Sequence, residues 1–231
     1  MHVSLSELEA AAVKAVMAVG LPLGLGEDAG RAAKLMLRSG LGSLADLVDA
    51  LDAVDGGRSA GCAPEPALAG RFVPANGADR LSALRAGPPA CDRLAATTGA
   101  AAGADAVTLA AVDCPALVLH EVIELSHTLD VTLSVAWSRA DGGSGEIVCR
   151  QGGARPVSGG DIGGPADLTI GPAAPGADVP PVPPAPPDRG DGAEVDDAVW
   201  ARLCAYADRR LVESTEESRL SGAGAGVIDT D

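Results

Sequence analysis

The chain has 231 residues, which is enough for one large domain or two small ones with a buried core. Its formal net charge of −15 argues against nucleic acid and against a polybasic membrane contact, since both depend on clustered Lys and Arg. Aromatic residues make up only 2% of the chain, so the core must be built from aliphatic side chains. The bias toward Ala, Gly, Pro and Arg is typical of a GC-rich bacterial genome.

Cysteine usage and hydropathy predict a reduced, cytoplasmic protein. The five cysteines are odd in number and contain no CxxC pair, so neither a zinc knuckle nor a redox dithiol is indicated. The first residues lack the basic and apolar regions of a secretory signal. The most apolar stretch, residues 106–119, is interrupted by Asp113 and Pro115 and is too short to span a bilayer.

Residues 1–55 are predicted to form an N-terminal helical segment. Apolar residues recur there at helical spacing, and Ser and acidic residues stand where helices begin. The three predicted helices run from Ser4 to Gly20, from Glu27 to Gly40, and from Ser43 to Gly56.

Residues 56–104 are rich in Gly, Ala and Pro, and short helices are predicted at about 78–86 and 90–98. Residues 105–170 are predicted to form an α/β core, because buried and alternating apolar patterns flank one helical pattern. Its predicted elements are a strand at 106–112, a helix at 115–129, a strand at 131–138, a hairpin strand at 146–150 and a strand at 167–170.

Residues 171–193 are predicted to be a proline-rich linker, and residues 194–231 a C-terminal helix with a glycine-rich tail. That helix is expected to open at Val199 or Trp200 and to bury a stripe from Trp200 to Leu211. We therefore expect one α+β body with an N-terminal helical segment, a small mixed β-sheet carrying packed helices, and the C-terminal helix.

His120, Glu124 and His127 share one face of the predicted helix at 115–129. His and Glu at these spacings can bind a divalent metal or exchange protons. The opposite face is apolar, so the same residues also fit the solvent face of an amphipathic helix. A second helix with matching ligands is not evident.

The glycine-rich tail has three interpretations. Its glycines follow a short predicted helix, which disfavours a phosphate loop because such a loop precedes a helix. The tail could instead fold back onto the body, or close over a pocket and bind an anionic small molecule. In the last case Arg219 would pair with a carboxylate, and Asp229 would be free to take an amine or a hard cation. The candidate ligands are Arg219, Ser218, Ser221, Gly222, Gly224, Gly226 and Asp229.

The sequence shows no catalytic dyad or triad. Cys114 is the best-placed nucleophile, because it stands at a strand-to-helix turn where a helix N-terminus would lower the pKa of its thiol. Its other interpretation is a small buried hydrophobic residue.

The two ends of the chain resemble an uncharacterised bacterial family that is labelled only as a domain of unknown function. The resemblance rests on Ser4-Leu-Ser-Glu7, on Glu27-Asp-Ala-Gly-Arg-Ala-Ala33, and on the Ser218-Arg219 and Gly222 to Gly226 tail with Asp229 and Asp231. It implies no known activity or cofactor. A second likeness is to the malate/L-lactate dehydrogenases, which are NAD enzymes with a Ser-His-Gly after the second helix. Ser39-Gly40-Leu41 lacks that histidine.

Three functional hypotheses follow. The first is a small-molecule enzyme, or enzyme subunit, that acts on a carboxylate-bearing metabolite oriented by Arg219. The second is a non-catalytic protein that docks a protein partner, or a second copy of itself, through residues 1–54. The third is an NAD-linked dehydrogenase of the malate/L-lactate type.

Overall fold

The structure is a computed structural model, and it describes residues 1–64, 67, 69–98, 105–160, 162–173 and 192–210. The described residues form an α+β fold, as predicted. Its helices are α1 (Leu5–Ala18), α2 (Leu23–Ser39), α3 (Leu44–Asp55), α4 (Ala83–Thr98), α5 (Pro115–Thr128) and α6 (Asp197–Asp208).

The strands form a two-stranded and an eight-stranded sheet. They are β1 (His2–Ser4), β2 (Ser59–Ala60), β3 (Arg71–Phe72), β4 (Arg80–Leu81), β5 (Val107–Val112), β6 (Leu133–Ser138), β7 (Ser144–Arg150), β8 (Gly153–Ser158), β9 (Ala166–Pro172) and β10 (Gly192–Glu194).

The N-terminal helices confirm the capping signals of the sequence. The hydroxyl of Ser4 accepts a hydrogen bond from the Glu7 N–H at 3.1 Å, which caps α1. The carboxylate of Asp46 accepts from the Ser43 N–H at 2.6 Å, and this reciprocal bond is one half of a capping box at α3.

Helix α2 begins four residues before the predicted start at Glu27, directly after Pro22. Gly26 of this added turn and Gly30 of the next lie against α1. A Cβ atom on Gly26 would stand 3.1 Å from the Val13 carbonyl oxygen, and one on Gly30 would stand 3.1 Å from Glu9 Cγ. Glycine at these positions therefore permits close packing of α1 against α2. This packing sets the rotation of α2 about its own axis, and with it the direction in which Asp28 projects.

Helix α4 is one continuous helix, although two short helices were predicted in this region. Pro88 and Pro89 lie inside it and cannot donate the helical hydrogen bonds of their positions. The helix persists because one of its sides is buried, including Leu84, Ala90 and Leu94. Tertiary packing thus outweighs the local cost of the two prolines.

The eight-stranded sheet is mixed, as predicted. Its order is β2-β4-β5-β9-β6-β7-β8, and β3 also pairs with β5. Strands β2, β3 and β4 run parallel to their partners, whereas the pairs from β5 through β9, β6 and β7 to β8 are antiparallel. Strands β2, β3, β4 and β8 of this sheet were not predicted from the sequence.

Helices α4 and α5 pack together and cover one face of this sheet. The covered face is built from apolar residues, among them Leu109, Val135 and Leu168, which are buried. The opposite face carries exposed polar residues such as Thr108 and Thr169. Since α2 also packs against α5, three helices converge above the sheet.

Helix α6 returns the chain to its N-terminal part. It begins at Asp197, two residues before the predicted opening, because the Asp196 carboxylate caps the N–H groups of Ala198 and Val199. It packs against α1 and α3. Tyr206 donates a hydrogen bond to Asp52 of α3 at 2.6 Å.

Three further observations concern the part of the chain that the structure describes. None of its helices has both the length and the apolar character needed to cross a bilayer. All five cysteines lie within it and are free thiols. Most of the predicted linker, residues 174–191, and the whole tail, residues 211–231, lie outside it.

Candidate functional site

A cleft of about 230 Å³ opens where α2, α4 and α5 converge. Each helix contributes a stripe of residues at helical spacing. The stripes are Asp28, Ala32 and Leu35 from α2; Pro88, Cys91 and Asp92 from α4; and His120, Glu121, Glu124, Leu125 and Thr128 from α5. The cleft therefore depends on the packing of three segments that are distant in sequence.

Glu121 lies deepest among the carboxyl groups of the cleft. Its Oε2 atom is buried and has no hydrogen-bond partner. Burial raises the pKa of this carboxyl well above its usual value of 4.5, and the nearby charges of Asp28 and Glu124 raise it further. Arg31 acts in the opposite direction but is outweighed. Burial therefore favours the protonated form of the Glu121 carboxyl.

The Glu121 carboxyl occupies space that Gly87 of α4 leaves free. A Cβ atom on Gly87 would stand 2.7 Å from Oε2 and 2.8 Å from Oε1 of Glu121. A real side chain at position 87 and the present position of this carboxyl are incompatible. Because position 87 has no side chain, the Glu121 carboxyl has room to lie against the backbone of α4.

His120 is the second buried polar group of the cleft, with 1% of its surface exposed. Its Nε2 lies 3.0 Å from the carbonyl oxygen of Leu41. Because a carbonyl oxygen only accepts, Nε2 carries the proton, and Nδ1 of the neutral ring is an acceptor. Nδ1 is buried without a partner. Burial lowers the pKa of His120 from 6.5 to about 4, so the ring is neutral at pH 7.

The charge of the cleft is negative. Asp28, Asp92 and Glu124 line it beside the buried Glu121, and none of the described Lys or Arg residues belongs to the lining. Arg31 stands beside the cleft, where it pairs with Asp28 and lies 3.7 Å from Glu124. A concave site of one charge sign concentrates ions of the opposite sign. This cleft therefore favours cations.

The structure separates the three residues of the predicted helix face on α5. Glu124 and His127 are exposed, but His120 is buried and bonded to Leu41, so its prediction as part of a solvent face was wrong. Among the described residues, no three His, Cys, Asp or Glu side chains are arranged to hold a metal ion.

Cys114 is a small buried residue, which was the second of the two interpretations of its sequence position. It occupies the N-cap position of α5, and only 3% of its surface is exposed. Burial raises the pKa of its thiol well above 9.0. The expectation that the helix N-terminus would lower this pKa was wrong, because removal of the thiol from water is the larger effect.

The tail candidates lie outside the described residues, so their roles remain predictions. They are Ser218, Arg219, Ser221, Gly222, Gly224, Gly226 and Asp229. Docking of a partner through residues 1–54 also remains a prediction. The apolar sides of α1 and α3, among them Leu8, Val16 and Leu47, are buried within the chain itself.

Residues 3–80 match the model of a family described as Protein of unknown function (DUF3726). This match confirms the predicted resemblance to a family of unknown function for the N-terminal part of the chain. The matched segment supplies α2 to the cleft, whereas α4 and α5 follow it in the chain. No curated protein and no solved structure matches the chain.

Replacing Gly87 by alanine tests the packing around Glu121. We expect Gly87→Ala to displace the Glu121 carboxyl toward solvent and to return its pKa toward 4.5, because the new methyl group takes its place. The fold should persist, since alanine is favoured over glycine inside a helix by roughly 0.5–1 kcal/mol. Carbon-detected NMR titration of the Glu121 side chain measures this change. An unchanged pKa in a folded variant would contradict the assignment.

Proposed function

We propose that this protein binds a small molecule with a cationic nitrogen in the cleft between α2, α4 and α5, either as an enzyme or as a ligand-binding subunit. The observation that carries the proposal is the pair of buried, unpartnered acceptors at its base, His120 Nδ1 and Glu121 Oε2. Buried polar groups in proteins are ordinarily hydrogen-bonded, and an unpaired one costs about 1–3 kcal/mol. A ligand that donates to them would remove this cost.

The charge of the cleft supports a cation. The carboxylates of Asp28, Asp92 and Glu124 would attract a positive group, and a carboxylate ligand would be repelled. The volume of about 230 Å³ lies below the roughly 300–1,000 Å³ of drug-sized ligand sites, which favours a small metabolite.

Glu121 is the residue that we assign to proton transfer at a bound ligand. Burial raises the pKa of this carboxyl, and a carboxyl that keeps its proton can act as a general acid toward a bound ligand. The neutral His120 ring would orient the ligand through Nδ1.

The hypothesis of a carboxylate-bearing metabolite with Arg219 remains a separate prediction. An amino acid would satisfy both hypotheses, because its carboxylate could pair with Arg219 and its ammonium group could bind in the cleft. The dehydrogenase and partner hypotheses also remain predictions.

A thermal-shift panel tests the proposal. Small amines, amino acid amides, 2-oxo acids and dicarboxylates would be added to the full chain at constant ionic strength. We expect the cations alone to stabilise the protein, because the carboxylates of the cleft repel anions. A ligand at 100 times its Kd adds about 2.7 kcal/mol to the free energy of unfolding, and each 1 kcal/mol raises Tm by about 2–4 °C for a chain of this size.

Two substitutions sharpen the test. Asp92→Asn removes a charge from the cleft lining and should weaken the shift, whereas Asp105→Asn removes an exposed charge elsewhere and should preserve it. Equal shifts from anions and cations, or no shift from any cation, would refute the proposal.

A further inference from the structure

We infer that the cleft selects cations that carry N–H groups, such as a primary ammonium or a guanidinium, and rejects quaternary ammonium groups. This inference rests on the proposed function and specifies the chemical class of its ligand. It separates two kinds of cation that the negative charge of the cleft would attract equally.

The first observation is the state of His120. Its side chain is almost wholly buried and lines the cleft, and its Nε2–H is already used by the carbonyl of Leu41. The remaining ring nitrogen, Nδ1, can only accept and has no partner. A ligand N–H can satisfy it, but a methyl group of a quaternary ammonium cannot.

The second observation is the adjacent acceptor of Glu121. Its Oε2 also lacks a partner, and the carboxyl faces the backbone of α4 at Gly87. Glu121 and His120 both line the cleft. A cation with two or more N–H groups could donate to both, since a protonated carboxyl keeps lone pairs that accept a hydrogen bond.

The third observation is the absence of aromatic residues from the lining. Quaternary ammonium groups are recognised by aromatic cages, in which ring faces supply the attraction. The chain has four aromatic residues, and none of them lines the cleft. They lie on other elements: Phe72 on β3, Trp137 on β6, and Trp200 and Tyr206 on α6. The cleft therefore offers hydrogen-bond acceptors and lacks the groups that bind a methylated nitrogen.

A methylation series on one carbon chain tests this selectivity. Butylammonium, N-methylbutylammonium, N,N-dimethylbutylammonium and butyltrimethylammonium chlorides would be titrated into the full chain at pH 7.5 and constant chloride, with binding followed by NMR. All four ligands carry the same charge. We expect similar affinities for butylammonium and N-methylbutylammonium, and then a fall with each further N–H lost, to a total of about tenfold or more, because each N–H lost below two leaves a buried acceptor unpaired. Butylguanidinium should bind like butylammonium.

The outcomes separate the inference from the proposed function. If butyltrimethylammonium binds as tightly as butylammonium, the selectivity is refuted while cation binding stands. If none of these cations binds, the proposed function is refuted together with the inference.

Matched histidine variants assign the selectivity to the cleft. His120→Met removes both ring nitrogens and with them the Nδ1 acceptor, so the affinity ratio of butylammonium to butyltrimethylammonium should fall toward one. His127→Met, on the exposed side of α5, should keep the ratio of the parent. Glu121→Met, which removes the second acceptor, provides an independent measurement if His120→Met does not fold. An unchanged ratio in both cleft variants would contradict the inference.

Discussion

Replacing Glu121 by glutamine is expected to stabilise the protein at neutral pH, because the parent loses about 1.4 kcal/mol for each pKa unit by which folding raises the pKa of this carboxyl. The folded-state pKa of Glu121 is raised, so below about pH 4.5 the carboxyl is protonated in both the folded and the unfolded state. As the pH rises, the unfolded chain loses the proton first, and the free energy of unfolding decreases until the folded-state pKa is passed. Glutamine cannot lose a proton, so this decrease should be absent from the variant.

Urea unfolding between pH 4 and 8 measures this effect. Glu27→Gln is the matched control, because it removes an exposed carboxyl of α2 outside the cleft lining and should change stability by less than about 0.5 kcal/mol. A Glu121→Gln variant that keeps the pH dependence of the parent would show that Glu121 is not held in its neutral form.

Acid should destabilise the protein through His120. Its pKa falls from 6.5 to about 4 on folding, so between these values the unfolded chain takes up a proton that the folded protein does not. Stability from this group is present above pH 6.5 and is lost as the pH falls toward 4. At 1.36 kcal/mol per pKa unit, the loss is about 3 kcal/mol.

His120→Gln should remove this acid-side slope, whatever its effect on stability at pH 7. His127→Gln should retain the slope, since that ring is exposed. The slopes of His120 and Glu121 overlap and oppose each other between pH 4.5 and 6.5, so the His120 measurement is best made in the Glu121→Gln background. Persistence of the slope in that double variant would refute the assignment to His120.

Much of the fold could be predicted because its signals are local. The caps at Ser4 and Ser43, and the alternation in β6, depend on residues within a few positions of one another. In contrast, β2, β3 and β4 are two residues long and exist only through parallel pairing with distant strands. No periodicity can be read from two residues.

Most residues of the cleft could not be predicted from the sequence, for a related reason. Helix α5 touches α2, α4 and the sheet, so it is buried on more than one side. Its sequence resembles that of a surface helix with one apolar face, and this resemblance assigned His120 to solvent. The burial of His120 is a property of the assembled helices, as is the fit of the Glu121 carboxyl against Gly87.

The pairing of β1 with β10 has a consequence for synthesis on the ribosome. Val3 pairs with Ala193, and α1 packs on α6, so β1 and α1 lack these partners until about 190 further residues have been made. At roughly 5–20 residues per second this delay is about 10–40 s. During that time α2 is the helix that covers the apolar side of α1, and burial of this side is completed only when α6 has been synthesised.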